Sequence, residues 1–282
     1  MSVITVQSHV SSGHVGNAAA EYPLRRMGFD VVAVHTALLA HHPGHGAFHG
    51  AVVPAETVRA VLDGLRAHGV FARCLGLLSG YLGSAETGHA LADAWHEIRR
   101  VSTDAFYCCA PVIGDTEEGV YVAAEIPGLF RELLVPGADA VVANAFEAGV
   151  LSGIGVVDTE SATRAARDIS VAGPGIVIIT SVPMPGREGA ALGNLLYHDG
   201  GAWMAPVRKL EITAKGTGDF MSALWLGYFL TLRDPLSALA QALALTQEAV
   251  ELAHATGATE LPLCRIMDLP APRPDGYSPQ PI

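Results

Sequence analysis

The stretch "AKGTGDFMSALWLGYFL", residues 214–230, sets Gly216, Thr217, Gly218 and Asp219 against a long apolar run. Glycines at the start of a helix let the backbone come close to a ligand and leave amide N–H groups pointing outward. The helix dipole favours an anion at that end, so Gly216, Thr217 and Gly218 form a cradle suited to a phosphoryl group in transfer. Asp219 beside the cradle repels a phosphate. Its chemistry is to accept the proton of a hydroxyl that attacks the phosphorus, or to orient that hydroxyl. Taken alone, the four residues describe a helix N-cap with flanking glycines equally well.

The surrounding elements must place these groups. Strands that are apolar throughout alternate with helices: "SVITVQS", "VVAVHT", "CLGLLS", "AFYCCAPV", "DAVVAN" and "GIVIITS" read as strands. "VGNAAAEYPLRRMG", "AETVRAVLDGLRAHG", "SAETGHALADAWHEIRR", "GLFRELLVPG" and "ESATRAARDIS" read as the helices between them. This pattern predicts an α/β fold with a mostly parallel sheet covered on both faces. After residue 181 it changes to a hairpin turning at Asp199-Gly200-Gly201, then to two long helices, about 218–232 and 235–256. Residues 36–53 break the scheme. They are loop-like, carry four histidines, and fit a small β flap or lid over the sheet edge. The tail, 270–282, reads as irregular, and the whole chain, 1–282, as one domain.

Composition removes several function classes. A formal charge of −11 with no Lys/Arg cluster excludes a nucleic-acid surface. It leaves phosphorylated ligands open, because backbone amides and a metal ion hold anions locally. Cys74, Cys108, Cys109 and Cys264 form no CxxC pair or zinc spacing, and no basic leader precedes the short "VITV". The longest apolar run, 220–232, is shorter than the ~20 residues that cross a bilayer. A cytoplasmic protein acting on a small molecule, with no membrane partner, is the expectation.

GTGD before an apolar helix resembles the signature of the ribokinase-like superfamily. "QSHVSSGHVGNAAAEYPLRRMG" is similar to the opening of its pyridoxal kinases, the vitamin B6 salvage enzymes, and "LSGYLGSAE", 78–86, matches another of their segments. "PVIGD", "NAFEAGVLSG" and "VIITS" follow in the same order, so the match spans 7–219 and fades after about residue 230. The resemblance implies a three-layer α/β/α fold with a small β flap, and transfer of the ATP γ-phosphate to the 5′-hydroxyl of pyridoxal. Pyridoxine and pyridoxamine are related substrates, and a homodimer is the implied assembly. It implies Asp219 as base, with Gly216, Thr217 and Gly218 around the phosphate. Ser8, His42 and Tyr81 would contact the substrate, and Asn144, Thr180 and Ser181 the nucleotide. Asp115 and Glu147 would lie near Mg²⁺ and the phosphates. A monovalent cation such as K⁺ stays open.

Three departures touch the metal and substrate sides. Cys109-Ala110-Pro111 stands where the family usually has Cys-Asp-Pro; Pro43 stands where its flap often has threonine; Ala143 and Ala145 flank Asn144 in place of a proline and a polar residue. Related readings are a kinase for another small alcohol such as hydroxymethylpyrimidine, and a B6-binding homologue of low activity. The flap histidines His41, His42, His45 and His49 also raise a metal site, but the glycines between them and the absence of an acid or thiol argue against it. A Rossmann-type oxidoreductase would need a GxGxxG after the first strand, which is lacking.

Overall fold

Continuously apolar runs build the central strands, which are buried on both faces, and amphipathic stretches form the helices between them. The computed structural model describes residues 2–47, 49–185, 191–268 and 274–282. In chain order the first half runs β1 (Ser2–Val10), α1 (Asn17–Arg26), β2 (Asp30–Leu39), β3 (Gly50–Val52), α2 (Ala55–Ala67), β4 (Cys74–Ser79), α3 (Ala85–Val101) and β5 (Phe106–Cys109). A small hairpin follows, β6 (Gly114–Asp115) and β7 (Gly119–Val120). Then come α4 (Ile126–Leu129), α5 (Val135–Gly137), β8 (Ala140–Asn144), α6 (Ala145–Ser152), α7 (Thr159–Val171) and β9 (Ile176–Pro183). The chain continues through β10 (Ala191–His198), β11 (Gly201–Arg208), α8 (Thr217–Leu232), α9 (Pro235–Thr256), α10 (Leu263–Met267) and β12 (Gln280–Pro281).

The main sheet has the order β12-β11-β10-β9-β8-β5-β4-β1-β2-β3. Its six central strands, β9 through β2, are parallel, and β10, β11, β12 and β3 add antiparallel edges. Successive residues of one strand feed opposite cores. Val141 and Ala143 pack under α3, α6 and α7, whereas Ala140 and Val142 pack under α1, α8 and α9. Helices therefore cover both faces of the sheet, and the three-layer expectation holds. Among the described residues no helix is long and apolar enough to cross a membrane.

Helix α8 is buried nearly all round because it lies between the sheet, α1 and α9. Phe220, Met221, Ala223, Leu224, Trp225 and Leu226 are all in the core. The Trp225 ring stacks on Phe229 at 5.1 Å, and its indole N–H donates to the Pro235 carbonyl at 3.4 Å. This is why the sequence shows no polar face there.

Several local readings are refined by the structure. "GLFRELLVPG" is helical but passes through a π-helical turn, Phe130–Leu134, between α4 and α5. The flap expected at 36–53 is the end of β2 with antiparallel β3, pairing Ala37 with Val52 and Leu39 with Gly50; a 3₁₀ turn, Pro43–His45, forms its tip. The tail is more ordered than its composition suggests. Residues 269–273 lie outside those described, but Pro274–Tyr277 forms a 3₁₀ turn and β12 pairs with β11 through Trp203 and Met204. The edge of β11 offers unpaired backbone groups, and even a proline-rich segment satisfies them.

Candidate active site

The carboxyl ends of the parallel strands converge on the start of α8, where open α/β sheets receive their ligands. Gly216 is the N-cap of α8, at φ 88° and ψ 7°, and no side chain caps this helix. By contrast α3, α6, α7 and α9 are each capped by a serine, asparagine or aspartate side chain. The Thr217, Gly218 and Asp219 amides precede the first intrahelical bond, Phe220 N–H to the Gly216 carbonyl at 3.0 Å. A side chain at 216 would drive its Cβ into the His14 carbonyl, so this turn tolerates only glycine.

Asp219 does not cap its own helix. Its Oδ2 accepts the Gly16 N–H at 2.7 Å, from the loop that follows β1. Burial pushes the Asp219 carboxyl above the usual aspartate range, and the Gly16 bond pulls in the opposite direction. A raised affinity for protons suits a group that must take one. Gly16 itself adopts φ 56°, and a Cβ there would strike the Ser8 carbonyl and Oγ. Ser8 and Asp219 are thus placed on either side of one glycine.

The other expected residues sit along the same edge. Tyr81, after β4, is half-buried, and burial raises its hydroxyl. Its carbonyl accepts a bond from Thr36 Oγ1 on β2, and Val52 of β3 packs against Gly83, so flap and tyrosine loop touch. Asn144 and Glu147 form a reciprocal capping box at α6, each side chain accepting the other's backbone N–H at 2.9 Å. Glu147 Oε1 also accepts the Ile113 N–H at 3.1 Å, and Asn144 Nδ2 donates to the Gly114 carbonyl at 2.9 Å. Asp115 Oδ1 accepts the Glu117 and Glu118 amides at 2.9 and 2.7 Å and so shapes the β6–β7 turn. Thr180 pairs in register with Asn144. Thr180 and Ser181 together oppose the single Asn194 of β10, a bulge in which Ser181 takes φ 59° and is exposed. His42 caps the flap turn through Nδ1, which accepts the Gly44 N–H at 3.0 Å; burial, then Lys215, lowers its pKa.

Four residues were not anticipated. Gly16 holds the acid, and Glu118 pairs with Lys215 at 3.5 Å, tying the β6–β7 turn to the residue before the cradle. Tyr121 has its hydroxyl kept un-ionised, first by desolvation and then by the charges of Glu147, Asp219, Asp115 and Glu118. Glu260 reaches the site from beyond α9, accepting the His14 N–H. Charge accounting across the folded site, not any motif, would have found Tyr121 and Glu118.

This edge of the sheet is strongly acidic, with Asp115, Glu118, Glu147 and Asp219 all acting on Tyr121. The Glu147 carboxyl, 7% exposed, is pushed up to about 8. Burial is the main cause and the Asp219 charge adds to it, while the Asn144, Ile113 and Gly114 amides oppose the shift. Below the ordinary carboxylate pKa of about 4.3 the group is protonated folded or unfolded and contributes no pH dependence. Between that value and about 8 the folded protein binds the extra proton, so stability falls as pH rises. Calorimetric melting of metal-free protein should show wild type losing ground to Glu147→Gln from pH 5 to pH 8. A constant difference across that range would contradict the shifted carboxyl.

The carboxylates of Asp115 and Glu147 are an all-oxygen donor set of the kind that fits Mg²⁺, and Glu147, buried with the Asp219 charge acting on it, is a site where a cation would be welcome. Among the described residues a different group, His9, Glu21 and His35, has metal-compatible spacing. There, Arg25 already holds Glu21 at 3.0 Å. Asn17 Nδ2 lies 2.9 Å from His35 Nδ1, so a donating amide leaves the imidazole proton on Nε2 and makes that nitrogen a donor. The flap histidines do not join any such group.

Comparison with known proteins bears on the family of the chain. The family model described as Phosphomethylpyrimidine kinase matches residues 24–264. Pyridoxal kinase PdxY of Deinococcus radiodurans is 38% identical over 267 residues, 93% of this chain and 90% of that one. Its counterpart in Corynebacterium diphtheriae is 36% identical over 261 residues, 93% and 92% of the two chains. Pyridoxal kinase from Leishmania donovani in complex with ADP and pyridoxine superposes with a TM-score of 0.90 at 30% identity, covering 99% of this chain and 98% of that one. With a family match of this extent and relatives of this similarity, the chain belongs to the phosphomethylpyrimidine kinase family, among its pyridoxal kinases.

Proposed function

We propose that this chain transfers the γ-phosphoryl group of ATP to the 5′-hydroxyl of pyridoxal, giving pyridoxal 5′-phosphate, and accepts pyridoxine and pyridoxamine as related alcohols. The observation that carries this reading is a carboxylate with raised proton affinity beside an uncapped helix N-terminus at the sheet's carboxyl edge. Solved relatives from Leishmania donovani that hold ADP with pyridoxine or pyridoxamine support the pair of ligands.

In this reading Asp219 accepts the hydroxyl proton as the oxygen forms its bond to the γ-phosphorus and the bond to ADP breaks. The Thr217, Gly218 and Asp219 amides face the charge on the phosphoryl oxygens, a fixed arrangement that needs no reorganisation during transfer. Ser8, Tyr81 and His42 line the alcohol's side. Asn144, Thr180 and Ser181, at the ends of β8 and β9, line the nucleotide's side, on the other side of β5. Mg²⁺ would be held through Asp115 and Glu147, and when bound it neutralises nucleotide phosphate charge. Both Glu147 oxygens already accept backbone N–H groups, which suits a metal that keeps its waters. A monovalent cation is compatible with the same cluster of acids.

Ala110, buried at the end of β5, leaves the site one acid short of the related pattern. Ala110→Asp should lower the Mg²⁺ concentration for half-maximal turnover and also lower the melting temperature of metal-free protein. No change in the Mg²⁺ dependence would mean the other acids already suffice.

A cytoplasmic homodimer completes the proposal. Four free cysteines suit a reducing compartment, and the β2–β3 edge, with Leu38 of β2 and Val52 of β3 exposed, offers apolar surface to a second copy. The family model's own description names a methylpyrimidine phosphate as substrate, so the second reading is a kinase acting on a hydroxymethylpyrimidine or its phosphate. Incubating purified protein and Mg-ATP with each alcohol, then separating products by chromatography, decides between them. Phosphorylated pyridoxal is the expected product; phosphorylation of the pyrimidine alone would replace this reading, and pyridoxal bound without turnover would leave a B6 binder.

A further inference from the structure

We infer that Glu260 is a positioning residue that couples the flap to the base; the inference rests on the kinase reading above. Glu260 lies in the loop after α9, far in sequence from every motif, yet its carboxylate touches two parts of the site. Oε2 accepts the His14 N–H at 3.2 Å. Oε1 lies 3.2 Å from His45 Nε2 at the flap tip. The Glu260 backbone forms an isolated parallel bridge with Lys215, immediately before the cradle.

The loop after β1 is where these contacts converge on the chemistry. Gly13 packs so closely on the carboxylate that a Cβ there would meet Glu260 Oε2 at 2.5 Å. The His14 carbonyl is the atom against which Gly216 is fitted, and two residues on, Gly16 N–H holds Asp219. The loop is also tied to the flap strand by Ser11 and Ser12 N–H bonds to the Leu39 and Ala40 carbonyls. Glu260 is the side chain that adds a direct link from this loop to the flap tip. With His45 held against Glu260, the flap tip thus bears on the loop whose amide aims the base. A shift of about 1 Å in that amide is enough to cost on the order of 10² in rate.

Two substitutions separate the two contacts. In Glu260→Gln the amide oxygen still accepts a backbone N–H, but the negative charge facing His45 is lost. In Glu260→Ala both contacts go. Steady-state kinetics with pyridoxal and Mg-ATP should show Glu260→Gln raising KM about tenfold with kcat little changed, as expected for loss of one charge-assisted bond. Glu260→Ala should in addition lower kcat by about 10 to 100-fold. His45→Ala should reproduce the KM effect, and the His45→Ala/Glu260→Gln double variant should be no worse than either single one. Hydrogen exchange of residues 41–47 should quicken equally in all three single variants. Wild-type turnover is established first, so that absence of kinase activity overturns the kinase reading and not this coupling. Unaltered kcat and KM in Glu260→Ala, or additive effects in the double variant, would overturn the coupling itself.

Discussion

Asp219→Asn should lose turnover by about 10² to 10⁴ while keeping its fold and its affinity for ADP. Asparagine preserves the acceptor for the Gly16 N–H, so the loop after β1 keeps its anchor. What disappears is the ability to take a proton. Because burial works against the Asp219 charge, the neutral residue should melt at or above the wild-type temperature. The pH profile provides a second reading of the same group. Asp219 acts when deprotonated, and its carboxyl is raised, so the acid limb of kcat/KM should fall at a higher pH than an ordinary aspartate gives. Turnover of Asp219→Asn within tenfold of wild type, measured as phosphorylated product, would remove the acid from its assigned role.

Gly216→Ala should be nearly as damaging, by a different route. At φ 88° an alanine is strained by about 1–2 kcal/mol, and its Cβ collides with the His14 carbonyl. Relief requires either the helix start or the loop holding Gly16 to move, and both carry the reacting groups. We expect melting to shift downward and kcat/KM to fall by at least about 10². Gly218→Ala is the folding control. Nothing lies within 4 Å of a Cβ at that position, so its melting temperature should stay at the wild-type value. A Gly216→Ala protein with wild-type stability and turnover would show that the tight fit at His14 is not required.

The fold was readable because its determinants are local. Apolar runs such as "CLGLLS" and "GIVIITS" match β4 and β9 closely, and Asp199-Gly200, both at positive φ, make the turn between β10 and β11 that was expected. Two-residue strands were not readable. β6 and β7 owe their existence to the Asp115 turn bonds, and β12 to an open edge far away in sequence. The site divides along the same line. GTGD and "NAFE" announce an N-terminal helix turn by composition alone. Gly16, Tyr121, Glu118 and Glu260 matter through contacts or charge across loops, which no spacing encodes. The "NAFE" pair illustrates the limit: the sequence placed both residues on one helical face, but only coordinates reveal that each caps the other, leaving Glu147 with both oxygens occupied.

Helix α8 makes one further point. Its tip presents the amides and the acid, while its trunk, with Trp225 wholly enclosed, is a pillar of one core. Durability and speed are therefore inherited through the same rod. A change that loosens the pillar tilts the tool at its end, so variants selected for heat tolerance along this helix should be screened for pace from the outset.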